Sequence, residues 1–129
     1  MIAAPRIPVS WGELIDKITI LEIKKERLSD ETARANAARE LRLLRDIAGE
    51  VLARKETEIL MARLRVLNLA LWDIEDRIRD HERTGDFGSA FVELARSVYR
   101  RNDERGQVKR EINLTLGSEL IEEKSYRPY

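Results

Sequence analysis

Apolar positions along the chain recur at the three- and four-residue intervals of one helix face, and they do so in four separate runs. The first opens at Ser10. Ser10-Trp11-Gly12-Glu13 has the form of a capping box, in which serine and glutamate side chains each satisfy a free backbone amide, and Val9 with Leu14 offers a hydrophobic staple. Leu14, Ile18, Leu21 and Leu28 then keep helical spacing. Ile18, Ile20 and Ile23 nearly alternate, as a strand would, but the cap decides for helix. Because Ile15, Ile20 and Ile23 fall off the main stripe, this helix is apolar around much of its circumference and is expected to touch several neighbours.

Ser29-Asp30 offers an N-cap for the second run, which carries Ala37, Leu41, Leu44, Ala48 and Val51. The third holds strict four-three spacing through Leu60, Leu64, Leu67, Leu71, Ile74 and Ile78 until Thr84-Gly85-Asp86 ends it. No Gly or Pro interrupts residues 50 to 84, so the second and third helices are either separate or one rod kinked near Gly49. After the loop TGDFGS, the fourth run carries Phe91, Leu94, Val98, Val108, Ile112 and Leu116 and stops at Gly117. The pattern predicts an all-α fold. It is a single domain over residues 1–129, a bundle of about four long antiparallel helices at roughly 10–28, 31–53, 56–84 and 89–116, with a short C-terminal tail at 117–129.

Composition narrows the function classes. The chain has 24 Lys and Arg against 24 Asp and Glu, so no net field draws it to nucleic acid or to an anionic membrane. The absence of Cys excludes a disulfide framework, a thiolate nucleophile and Cys-ligated zinc or iron–sulfur sites. The start, MIAAPRIPVSWGEL, lacks a basic segment followed by an apolar run of the kind a secretion signal needs, and no stretch is apolar for long enough to span a bilayer. The expectation is a cytoplasmic protein without a membrane anchor.

The fourth seam is interrupted between Val98 and Val108 by Arg101, Asn102 and Arg105. If the chain runs up and down with tight turns near residues 30, 55 and 86, Arg105 lies level with Leu67, Leu67 with Leu44, and Leu44 with Asp16. That places Asp16, Lys17, Asn68, Arg101, Asn102 and Arg105 in one polar layer of an otherwise apolar bundle, with Arg105 at least partly buried against Asp16. One reading is an ion-paired layer that fixes helix register. The other is an anion pocket, in which Arg101 and Arg105 grip a carboxylate or phosphate in the bidentate way that Lys cannot. Gly106 supports either close packing or a ligand, since glycine inside a helix costs roughly 1 kcal/mol against alanine.

Asp73, Asp76 and Asp80 share a helical face of the kind that can hold a hard divalent ion. Pairing of Asp73 and Asp76 with Arg96 and Arg100 across a hairpin explains those charges without a metal, and no cofactor is expected. His81 stands near the third helix's C-terminal end, where an imidazolium suits the dipole. Trp11 and Trp72 read as core or interface residues. No Glu-x-x-His pair, Gly-rich phosphate loop or serine nucleophile elbow occurs.

The blocks VSWGELIDKITILEIKKERL, LWDIEDRIRDHERTGDFGSAFVELARSVYRRNDERGQVKREINLTLGS and EEKSY together resemble a bacterial family of small, stand-alone helical proteins of unknown function. The resemblance leaves out roughly residues 30 to 58. It implies that Asp16, Lys17, Asn102, Asp103 and Arg105 sit in the family's motif blocks, and it carries no assigned catalytic or binding residue. A second similarity, to the first helix of the helical chorismate mutases, rests on Ile15-Asp16, Ile18, Leu21 and Arg27 and lacks that enzyme's full set of substrate-binding residues. Since the first and third helices are too apolar for one thin bundle to cover, the leading expectation is a non-enzymatic homo-oligomer, a homodimer or larger, serving interaction or assembly. The alternative is a protein that binds, or acts on, a small anionic ligand at the polar layer.

Overall fold

The structure is a computed structural model that describes all 129 residues. It contains four α-helices and no strand: α1 (Trp11–Arg27), α2 (Glu31–Ala48), α3 (Lys55–Thr84) and α4 (Ser89–Thr115). The predicted boundaries hold to within about two residues, except at the end of α2. There Gly49, at φ 56°, stops the helix, the chain winds through a 3-10 turn at Gly49–Ala53, and Arg54 is extended before α3 starts. The second and third helices are therefore separate. The physical reason is that φ beyond zero is open to glycine and breaks the i to i−4 ladder.

α1 is the central element and packs on all three others. Leu14, Ile18 and Leu21 face Ala37, Leu41 and Ala48 of α2. Ile15 turns the other way, onto Leu60, Leu64 and Leu67 of α3 and Val108 and Ile112 of α4, while Trp11 packs against both groups. Ile15 and Ile23, off the main stripe, are 0% and 1% exposed. Full burial of each such side chain is worth about 1.5–3 kcal/mol. Two of the three off-stripe isoleucines of α1 are thus covered within the chain, and Ile20 alone stays partly exposed, which weakens the argument for a partner on α1.

α3 and α4 form a hairpin longer than the rest of the bundle. Its turn is closed by Gly85, whose N–H reaches the carbonyls of Glu82 and His81, and by the contact of His81 Nδ1 with the Asp86 carbonyl at 2.9 Å. No residue between Asn68 and Val108 is buried. Leu71, Ile74 and Ile78 of α3, and Phe91, Leu94 and Val98 of α4, form a half-buried seam in this projecting arm. The tail after α4 has no regular secondary structure. No helix is long and apolar enough to cross a membrane.

Candidate functional site

Asp16 is 1% exposed, in the middle of α1, where a carboxylate without partners would be costly. Its two oxygens meet three donors. Arg105 of α4 donates through Nε to Oδ1 at 3.0 Å and through Nη2 to Oδ2, and Asn68 of α3 donates through Nδ2 to Oδ1 at 2.9 Å. Asn68 Nδ2 also lies 2.8 Å from Thr19 Oγ1, and the Thr19 hydroxyl donates to the Asp16 carbonyl at 2.6 Å. Three helices are tied together by this one fully satisfied cluster. The bond to Asp16 raises the Arg105 pKa above its ordinary value, against the opposing effect of burial.

A helical turn further along α4, Lys109 is 7% exposed and places Nζ between Glu13 of α1, at 2.8 Å, and Glu122 of the tail, at 3.1 Å. Burial opposes its charge, but the two carboxylates outweigh that and raise its pKa. Glu122 shifts the opposite way, held below the ordinary carboxylate value first by Lys109 and then by Lys124. One turn further still, Asn113 Oδ1 accepts the Gly12 N–H at 2.7 Å. Here the helices come so close that a Cβ on Gly12 would sit 2.4 Å from the Lys109 carbonyl oxygen. The first three amides of α1 all find side-chain acceptors: Trp11 N–H in Ser118 Oγ, Gly12 N–H in Asn113 Oδ1, and Glu13 N–H in Ser10 Oγ.

The structure brings together Asp16, Asn68 and Arg105 of the predicted layer, with Asn102 at its edge, its Oδ1 3.4 Å from Arg105 Nη1. Lys17 and Arg101 are not in it. Lys17 lies one residue past Asp16, about 100° further round the helix, and pairs instead with Glu40 of α2 at 3.4 Å on the surface. Arg101 is exposed and pairs with Glu104 of its own helix at 3.1 Å. The fork of Arg105 is taken up by Asp16, so a ligand would have to compete with a buried carboxylate for it. The capping box is also half-formed: Ser10 caps as expected, but Glu13 turns away to Lys109, and Val9, offered for the staple, is 44% exposed.

Charge pairs in the arm differ from the expected ones too. Asp73 pairs with Arg27 of α1 at 3.1 Å, Asp80 with Arg83, and Arg96 with Glu93. Asp76 and Arg100 make no ion pair, because most charges on this hairpin find a nearer partner on their own helix.

Level along the bundle does not mark Lys109, Asn113 or Glu122 as partners. A signal for the first two exists. Arg105, Lys109 and Asn113 form a polar stripe at four-residue spacing on α4, and Asp16, Glu13 and Gly12 answer it in reverse order on α1. Nothing in the periodicity marks Glu122, which stands in a segment without a repeat.

Beside the layer, α4 and the tail enclose a cleft of about 580 Å³ bordered by Asn102, Arg105 and Lys109. A second recess, of about 400 Å³, opens between α1 and α3 with Trp72, Asn68 and Ile20 in its wall, and Arg105 borders both. No curated protein and no solved structure matches the chain. The sequence from residue 6 to residue 128, including the stretch 30 to 58 that the motif blocks leave out, matches the family described as a family of unknown function, DUF6165, and the chain belongs to that family.

Proposed function

We propose that the protein is a homo-oligomeric assembly protein of the bacterial cytoplasm, in which two copies pair through the α3–α4 arm. One observation carries the reading: the seam from Leu71 to Ile78 and from Phe91 to Val98 is apolar at helical spacing, and the fold leaves it half-open where α1 has ended. A second copy fits better than an unrelated partner because the arm is self-complementary in charge. Asp76 of α3 and Arg100 of α4 make no ion pair within the chain, whereas Arg105, Lys109 and Arg110 are engaged nearer the base by Asp16, by Glu13 with Glu122, and by Glu123. In a two-fold pair, α3 of each copy meets α4 of the other, and the unpaired Asp76 and Arg100 meet twice. Phe87 and Val92, 52% and 49% exposed, add apolar surface near the arm's tip.

Sedimentation velocity at micromolar concentration tests this, with a species of twice 15.0 kDa expected. Ile78→Asp should yield monomer with unchanged helical content. Asp76→Arg and Arg100→Asp should each weaken the pair and the double variant should restore it. A wild-type protein that sediments as a monomer over the whole range sinks the reading. The anion-binding alternative draws its support from elsewhere, from the cationic cleft between α4 and the tail rather than from Arg101 and Lys17.

A further inference from the structure

We propose that the cleft between α4 and the C-terminal tail is a binding site for a small aromatic molecule carrying one anionic group, a carboxylate or a phosphate monoester. Its volume of about 580 Å³ falls within the range that small-molecule pockets occupy. The chain has three tyrosines, and all three, Tyr99, Tyr126 and Tyr129, stand in its wall. They remain 42%, 75% and 78% exposed, with Tyr99 and Tyr129 edge to face at 5.1 Å. Rings left open beside one another offer faces for a further ring.

The charged groups of the wall are four cations, Arg105, Lys109, Lys124 and Arg127, and one acid, Asp103. Asp103 is engaged by Tyr129, whose hydroxyl pKa it raises by accepting its hydrogen bond. Two of the cations are fixed from behind: Asp16 holds Arg105, and Glu13 together with Glu122 holds Lys109. Glu122 also takes Lys124, at 3.1 Å, while Arg127 has no acidic partner. Supporting carboxylates therefore offset three of the four positive charges and Asp103 balances the fourth, so the site has no surplus field for a polyphosphate; Arg127, the wall cation without an acidic partner, suits a single negative group. The Lys109 and Lys124 ammonium groups, each with an N–H to spare, and Arg127 provide charge-assisted donors for that group at the edge of an aromatic wall.

Gly106 marks how closely the tail lies on α4. A Cβ built there would be 3.4 and 3.5 Å from Cε and Cδ of Lys124, ordinary contact with the end of a flexible side chain. Ion pairs of Glu122 with Lys109 and of Glu123 with Arg110 hold the same segment down.

The test is an NMR titration of the intact chain with phenyl phosphate and with 4-hydroxyphenylacetate, set against 4-methylphenol and inorganic phosphate alone. Saturable shifts at Tyr99, Tyr126 and Lys109 are expected with one or both aromatic anions, and the two probes distinguish phosphate from carboxylate. The ring without the charge and the charge without the ring should each bind at least about tenfold more weakly, a difference of roughly 1.4 kcal/mol. Arg127→Ala and Tyr126→Ala lie in the exposed tail and leave the bundle intact; each should weaken binding by a similar factor. The proposal is overturned if no probe saturates at millimolar concentration, if the neutral ring or bare phosphate binds as well as the aromatic anions, or if both variants bind like the parent chain.

Discussion

Leu64 and Ile112, near the base of α3 and α4, are both 0% exposed, whereas Ile78 and Phe91, on the same seam of the same two helices, stay half-exposed. The apolar spacing is equally regular in both regions. What differs is the cover. At the base, α1 lies against both helices; it ends at Arg27, which pairs with Asp73 of α3, and beyond that point two helices have only each other. Two helices bury one narrow line between them, and a third or fourth neighbour is needed to close a seam. Helical periodicity thus states that a face is apolar and leaves open whether the chain itself supplies the cover.

The largest effect is expected where base and arm meet. Arg105→Ala strands the Asp16 carboxylate and should destabilise by about 3–5 kcal/mol, a fall of several degrees in melting temperature for each kcal/mol in a protein of this size. Arg105→Met with Asp16→Leu should recover much of that loss. If the double variant melts as low as the single one, the pair is not a mutually dependent unit and the boundary lies elsewhere.

The next contrast separates the two regions directly. Leu64→Ala in the base should cost about 2–5 kcal/mol, and Ile78→Ala in the arm nearer 1 kcal/mol, because half of the deleted surface was already in water. The arm's small cost should grow with protein concentration if copies pair there, since pairing adds stability by mass action. Equal costs at every concentration, measured by chemical denaturation, would remove the distinction between covered and uncovered seam.

Two glycines give a smaller and opposite pair of effects. Gly12→Ala drives a methyl group into the Lys109 carbonyl and should cost about 1–3 kcal/mol. Gly106→Ala meets only the flexible end of Lys124 and should stabilise α4 by up to about 1 kcal/mol. A Gly12→Ala variant that melts no lower than the parent would refute the close approach of α1 and α4 at Gly12.

The mildest perturbation is pH acting on the tail. Glu122, faced by Lys109 and Lys124 with Glu13 beyond, has its pKa lowered on folding, so its contribution is complete above its unfolded pKa and is lost as pH falls through the lower folded value. Lys109, raised on folding, contributes fully below its own unfolded pKa and loses that contribution only as pH rises through the higher folded value. The tail should therefore stay docked through neutral pH and loosen on acidification while the apolar core holds. NMR line widths of Tyr126 and Tyr129 should narrow before the core resonances change; simultaneous loss of both sets would tie the tail to the core.

By itself, the sequence determined four helices and most of their ends, because caps, turn glycines and three-four spacing are local signals. It also determined the Asp16–Arg105 pairing, since a constant rise per residue turns turn positions into levels along a bundle. Rotation about each helix axis is not fixed by level alone. Level alone therefore puts Lys17 and Arg101 in the layer, whereas they face Glu40 and Glu104, and it does not mark Lys109 and Asn113. Only the tertiary structure placed α1 at the centre, where its neighbours cover Ile15 and Ile23, and brought α4 close enough for Gly12 to be required. It alone laid the tail along α4, because that docking rests on contacts between Glu122 and Lys109 and between Tyr129 and Tyr99, side chains that no repeat or spacing connects.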